Sequence, residues 1–176
     1  INPGSEVLWT VLAFATISVP FVFGGIVVCV ALTKFPKHTG ALYAADLAGS
    51  AAGCVLTIPI LDHIHAPTAV ILNAALAALA AFAFSLSTRH RIRWISGVCS
   101  IALFLGAVAN QSVRAVDIRW IKGGRNGGGG LYEKWNALSR IHVRQTGGEP
   151  FGWGMSPSYR PARKLEQLYL NIDSGA

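Results

Sequence analysis

Four apolar segments constrain this chain more than any other feature. The first, Val7 to Thr33, carries no charge and contains Pro20 and the pair Gly24-Gly25. The second, Ala41 to Leu61, holds a single carboxylate, Asp46. The third, Thr68 to Ser87, is rich in Ala and Leu and interrupted by Asn73. The fourth, Trp94 to Gln111, ends in the polar cluster Asn110-Gln111-Ser112. Each reaches or nearly reaches the roughly 20 residues that a helix needs to cross a bilayer. A soluble bundle would show polar stripes at a period of 3.6 residues, and these segments show none. The reading is an all-α membrane bundle of four transmembrane helices with a short partial β-sheet tail. The first span is long enough to tilt, or to kink near Pro20. Trp9, Tyr43 and Trp94 stand at segment starts, the level of the aromatic belts.

Charge sets the organisation around these spans. Only 13% of the 176 residues are charged, and the net charge of +7 is concentrated in loops and tail. Such a balance suits an anionic membrane surface. No zinc-finger spacing or RNA-binding aromatic motif accompanies it, so nucleic acid is not an expected partner. The first and third loops contain Lys34, Lys37, Arg89, Arg91 and Arg93, and the second contains no Lys or Arg. The positive-inside rule puts those two loops in the cytoplasm. Arg114, Arg119, Lys122 and Arg125 follow the fourth span and argue for the opposite orientation, so charge counting leaves the topology open.

Asp46 lies within the small-residue run Leu42 to Cys54. At helical spacing it shares a face with Gly49 and Gly53, a G-x-x-x-G pair that allows close approach of a second helix. A carboxylate at that depth must face a partner or water. Asp46 therefore either clamps a helix pair or marks a hydrophilic path. The continuous small-residue face favours the clamp; the path would make the chain a small transport or carrier bundle, and a non-catalytic membrane scaffold is a further alternative.

Beyond the fourth span, Val113 to Lys122 has the spacing of a short amphipathic interfacial helix, with Val113, Val116, Trp120 and Ile121 on one side. The glycine run Gly123 to Gly130 lacks the strand and the Lys-Ser/Thr pair of a phosphate loop and reads as a linker. The period then changes to two: Ile141 and Val143 alternate with Arg140, His142 and Arg144, and Leu168, Leu170 and Ile172 alternate with polar neighbours. Two half-buried strands are expected, joined by a long irregular loop. The domains are thus 1–113 (spans 7–33, 41–61, 68–87 and 94–111), an interfacial helix and linker over 114–130, and an incomplete β subdomain over 131–176. Both ends look cut, so a piece of a longer protein is expected.

Little here suggests chemistry. Asp62-His63-Ile64-His65 could chelate a metal, but a polar turn closed by Pro67 accounts for it better. Cys29, Cys54 and Cys99 are unpaired in spacing and behave as small hydrophobes. No Ser-His-Asp set and no G-x-G-x-x-G fingerprint is present. No catalytic, cofactor-binding or metal residue is assigned.

Tyr132-Glu133-Lys134-Trp135-Asn136-Ala137-Leu138-Ser139-Arg140-Ile141-His142-Val143 and Gln167 to Ala176 form the more specific signal. With Pro20 to Gly25 and Leu42 to Gly49, they resemble the membrane-embedded spermidine synthase-like proteins, in which a membrane region precedes a domain like that of polyamine aminopropyltransferases. The resemblance implies that the two strands belong to the small β-sheet subdomain that opens such a domain. Trp135, Asn136, Ser139, Arg140 and Asp173 are its motif positions, without assigned roles. Soluble members have Leu-Asp-Gly where this chain reads Ile172-Asp173-Ser174. The resemblance also implies a nucleotide derived from S-adenosylmethionine as cofactor of the complete protein, in a Rossmann-like part that would follow Ala176. The expected location is the bacterial inner (plasma) membrane. The expected partners are the bilayer and further helices or the C-terminal domain of the same protein.

Overall fold

A computed structural model describes residues 3–86, 90–118, 120–121, 124–125, 130–146, 152, 154–156, 158–159 and 166–173. It contains helices α1 (Pro3–Lys34), α2 (Thr39–His63), α3 (Ala66–Ser85) and α4 (His90–Val113). Strands β1 (Trp120–Ile121), β2 (Gly124–Arg125), β3 (Tyr132–Trp135), β4 (Arg140–Thr146) and β5 (Gln167–Ile172) follow. All four helices are long and apolar enough to cross a membrane. Their large apolar side chains point outward, Phe14 and Phe21 being about three-quarters exposed. These are the properties of an integral membrane protein. In lipid a helix succeeds because it satisfies its own backbone hydrogen bonds.

The chain divides into two compact units, residues 1–54 and 55–176. In the first, α1 continues helically through Pro20, and the 3-10 turn Pro36–His38 connects it to α2. In the second, α3 and α4 form an antiparallel hairpin. Ala75 and Ala107 are its buried apolar residues, and their small side chains let the helix backbones approach. Ser100 Oγ donates across the interface to the Ala75 carbonyl (3.1 Å), and Asn110 Nδ2 donates to Thr68 Oγ1 (2.9 Å). Gly97 has a steric reason: a Cβ there would lie 3.2 Å from the ring of Phe82.

Two expectations are corrected beyond α4. Residues 114–118 are not helical, and Trp120–Ile121 pairs antiparallel with Gly124–Arg125 instead of continuing an interfacial helix. Arg114 takes a left-handed conformation (φ 52°), which stops α4. The side-chain amide of Asn110 then captures the Val116 backbone, accepting from its N–H (2.7 Å) and donating to its carbonyl (3.1 Å). These bonds hold the segment away from the helical path. Residues 126–129 of the glycine run lie outside the described residues, as does most of the loop between the two expected strands.

The tail sheet has three described strands rather than two, in the order β3-β4-β5, all antiparallel. β3 supplies the strand that the alternating pattern did not reveal. The register pairs Ile141 with Ile172 and Val143 with Leu170, so the apolar residues share one face as expected. Burial is reversed, however. Leu168, Leu170 and Ile172 are 61%, 60% and 55% exposed, whereas Arg140 on the opposite face is 6% exposed. On the polar face Arg140 is buried and Glu133, Trp135 and His142 are half-buried where their charges and rings meet one another, whereas Arg144 is exposed and Ile141 and Val143 on the apolar face are half-buried.

Membrane insertion predicts that the chain stays in the pellet after an alkaline carbonate wash; release to the supernatant rules out four spans. The 24 residues of α4 cover about 36 Å, enough to put its two ends on opposite sides of a bilayer. In a chain with Cys29, Cys54 and Cys99 replaced by Ala, Arg91→Cys and Leu138→Cys should therefore react with an impermeant maleimide from opposite sides. Labelling of both from one side excludes α4 as a span.

Candidate functional site

A continuous polar network joins the α3–α4 hairpin to the sheet. Its first part is the turn between α2 and α3. The Gln111 amide, one residue past Asn110, donates from Nε2 to the His63 carbonyl (3.2 Å) and accepts the His65 N–H at Oε1 (3.3 Å). Adjacent helical side chains diverge by about 100°, so Asn110 and Gln111 can hold two different neighbours. His63 Nδ1 bonds the Pro59 carbonyl at 2.9 Å. His65 Nε2 lies 2.8 Å from Arg114 Nη2. A guanidinium can only donate, so this nitrogen of His65 is the acceptor in this arrangement. Asp62 to His65 is thus the end of a helix and a turn. Among the described residues no group of three or more His, Cys, Asp or Glu could hold a metal ion.

Arg114 also reaches the sheet. Its Nη1 donates to Glu133 Oε2 at 3.0 Å. The other oxygen of Glu133 accepts from Arg140 Nε (2.8 Å) and from Trp135 Nε1 (3.1 Å). The Arg140 guanidinium lies over the Trp135 ring, 5.6 Å from its centroid. β-pairing explains the cluster: Glu133 and Trp135 alternate onto one face of β3, and Trp135 stands opposite Arg140. Burial would push the Glu133 carboxyl up. The hydrogen bond from Arg140, the charges of Arg140 and Arg114 and the bond from Trp135 outweigh burial and hold it below the ordinary glutamate value.

The remaining motif positions close the ends of the strands. Asn136 Oδ1 accepts from the Leu138 and Ser139 N–H groups (2.8 and 2.7 Å), which shapes the β3–β4 turn. Asp173 Oδ1 accepts the Arg140 N–H (2.7 Å), while its own N–H donates to the Arg140 carbonyl (3.0 Å). Asp173 does this from a left-handed backbone (φ 51°), a conformation that Asp tolerates better than most residues. The structure therefore brings Trp135, Asn136, Ser139, Arg140 and Asp173 together. Two buried polar atoms on this face, Arg140 Nη2 and Asn171 Oδ1, have no hydrogen-bond partner among the described residues.

Beside the network is a cavity of about 430 Å³ bordered by Arg114, Asp117, Glu133 and His142. Gly130 forms part of its wall, and any side chain there would overlap the His142 ring. The border mixes two carboxylates with a guanidinium, an imidazole and the Tyr132 phenol.

Asp46, Gly49 and Gly53 are exposed on α2, and a Cβ built on either glycine meets no atom within 4 Å. Compared with protein-family models, curated proteins and solved structures, the chain has no match. Sequence reasoning missed Glu133, Arg114 and His65 as parts of one site. The available signal was the Glu133-x-Trp135 spacing, which puts both residues on one strand face.

Glu133→Ala leaves the guanidinium of Arg140 buried without its counterion, so the sheet should lose about 3 kcal/mol, measured by hydrogen exchange of β3–β5 in detergent. Glu133 also sets an acid limit. Its carboxyl is lowered on folding, so its contribution is whole above pH 4.5 and is lost as pH falls through the lowered value. Exchange in β3–β5 should accelerate only below that range in the native chain and be less sensitive to acid in Glu133→Gln. Equal acid sensitivity would assign the transition to another group.

Proposed function

We propose that this chain is the membrane region and domain junction of a spermidine synthase-like protein, anchoring an aminopropyltransferase- or methyltransferase-fold domain to the bilayer. One observation carries the reading. Of the motif residues behind the resemblance, Trp135, Arg140 and Asp173 are joined by hydrogen bonds through Glu133 and the Arg140 backbone, Asn136 and Ser139 close the adjoining turn, and the Arg114–Glu133 ion pair ties the set to the end of α4. A junction built this way transmits position: the sheet cannot turn freely about the helix end without separating Arg114 from Glu133.

The exposed apolar face of Leu168, Leu170 and Ile172 fits the same reading. It is the surface on which a following domain would complete its core, because an aliphatic face left in water forgoes the stabilisation that burial gives. In this proposal the chemistry belongs to that further domain, with a nucleotide derived from S-adenosylmethionine as its cofactor. Residues 1–176 supply the anchor and the first strands, in the bacterial inner membrane.

Isothermal calorimetry tests the division of labour. The chain by itself should give no saturable heat with S-adenosylmethionine or its decarboxylated form, since no glycine-rich strand-turn-helix that could hold a nucleotide occurs among the described residues. A saturable signal in the micromolar range would place the binding site within these residues and end the anchor reading. Arg114→Ala tests the junction itself: hydrogen exchange should rise in β3–β5 while α3 and α4 stay protected. Unchanged exchange in the sheet means that the ion pair does not couple the two parts.

A further inference from the structure

The α3–α4 hairpin has a second feature, at the end of α4 opposite the sheet. A cavity of about 470 Å³ runs along the hairpin between Leu79, Phe82 and Leu86 of α3 and its following turn and Trp94, Val98 and Ile101 of α4. Arg93 lines its outer end. From Arg93 to Ile101 the cavity extends about 12 Å along α4. Its floor is apolar in effect. Gly97 contributes no side chain, and the Ser100 hydroxyl is engaged with the Ala75 carbonyl. Trp94 forms one wall and is steadied by donating from Nε1 to His90 Nε2 at 3.0 Å.

Charge identifies the occupant. From Ala66 to Val113 the sequence has no Asp or Glu, yet Arg89, Arg91 and Arg93 fall within five residues. The described ion pairs use neither Arg91 nor Arg93. Arg93 is half-buried at the cavity mouth, and Arg91, two residues earlier on α4 and turned to another side of the helix, is exposed. A guanidinium without a counterion among the described residues, at the head of an apolar slot in a membrane-spanning hairpin and in a sequence stretch rich in arginine, is complementary to a phosphate ester attached to an acyl chain. The geometry points to a binding site for one anionic glycerophospholipid: its phosphate meets Arg93, and one acyl chain lies between Phe82 and Trp94. The site would fix this end of the hairpin at headgroup level. It does not depend on the function proposed above.

The wall residue supplies the readout. The full chain is placed in phosphatidylcholine nanodiscs containing a small fraction of either phosphatidylglycerol or phosphatidylcholine with brominated acyl chains, which quench nearby indoles. The Trp94 signal is the difference between the native chain and Trp94→Phe. Quenching of that signal by brominated phosphatidylglycerol should exceed quenching by brominated phosphatidylcholine about fivefold, the preference that one interfacial arginine provides. Arg93→Gln should remove most of the preference, and Arg93→Lys should keep a substantial part. Equal quenching by the two lipids in the native chain overturns the site without reference to any variant. A preference undiminished in a folded Arg93→Gln, Arg91→Gln double variant overturns it as well.

Discussion

A single carboxylate holds the membrane hairpin and the sheet together, because Glu133 is shared by two arginines from different parts of the chain. Arg114 stands just past the end of α4, and Arg140 opens β4. Each contacts a different oxygen of Glu133, so neither displaces the other. Trp135 adds an indole N–H to one oxygen and a π-face beneath Arg140. The arrangement explains how an arginine can be almost wholly removed from solvent in a small sheet: it has a counterion, a hydrogen bond and an aromatic surface. It also explains the left-handed backbone at Arg114. That conformation ends α4 and lets one side chain reach both His65 and Glu133.

The hairpin beneath the sheet follows the rules of packing in lipid. There, water cannot satisfy polar groups and apolar side chains have little reason to cluster. Ser85 and Ser96 accordingly return their hydroxyls to carbonyls of their own helices. Ser100 and Asn110 donate across to α3, and Ala75 and Ala107 allow the close approach that these bonds require. Polar groups become denser towards the Asn110 end, where Asn110 and Gln111 join three chain segments. At the opposite end Arg91 and Arg93 have no acidic partner among the described residues. The hairpin is therefore asymmetric, tied to protein at one end and offering charge to its surroundings at the other.

The sheet is unusual in covering its charged face and exposing its aliphatic one. A chain folding alone in water would favour the reverse, since burial of a Leu or Ile side chain is worth about 2 kcal/mol. The ion network outweighs that preference because its residues have nearby partners of fixed geometry. On the aliphatic face Leu168, Leu170 and Ile172 stay exposed among the described residues. This imbalance gives physical meaning to the proposed junction, in which a further domain would supply the missing cover.

The sequence by itself determined the four spans, their short connections and the turn after Asp62. Hydrophobic length and the absence of a polar stripe are local properties that a bilayer reads directly. The period of two in Ile141 to Val143 and Leu168 to Ile172 likewise marked both strands and their shared apolar face. Only the tertiary structure decided the rest. β3 escaped notice because four residues of mixed character, Tyr132 to Trp135, have no periodicity until β4 pairs with them. The interfacial helix was a fair inference from the spacing of Val113, Val116 and Trp120. It lost to the Asn110 amide, whose grip on Val116 depends on a turn geometry that no periodicity encodes. The covered side of the sheet was equally beyond local pattern. It depends on Glu133 meeting Arg114 across 19 residues and on Arg140 meeting Asp173 across 33. Such pairings are set by register and chain reversal, so the same letters in another fold would leave those charges in water.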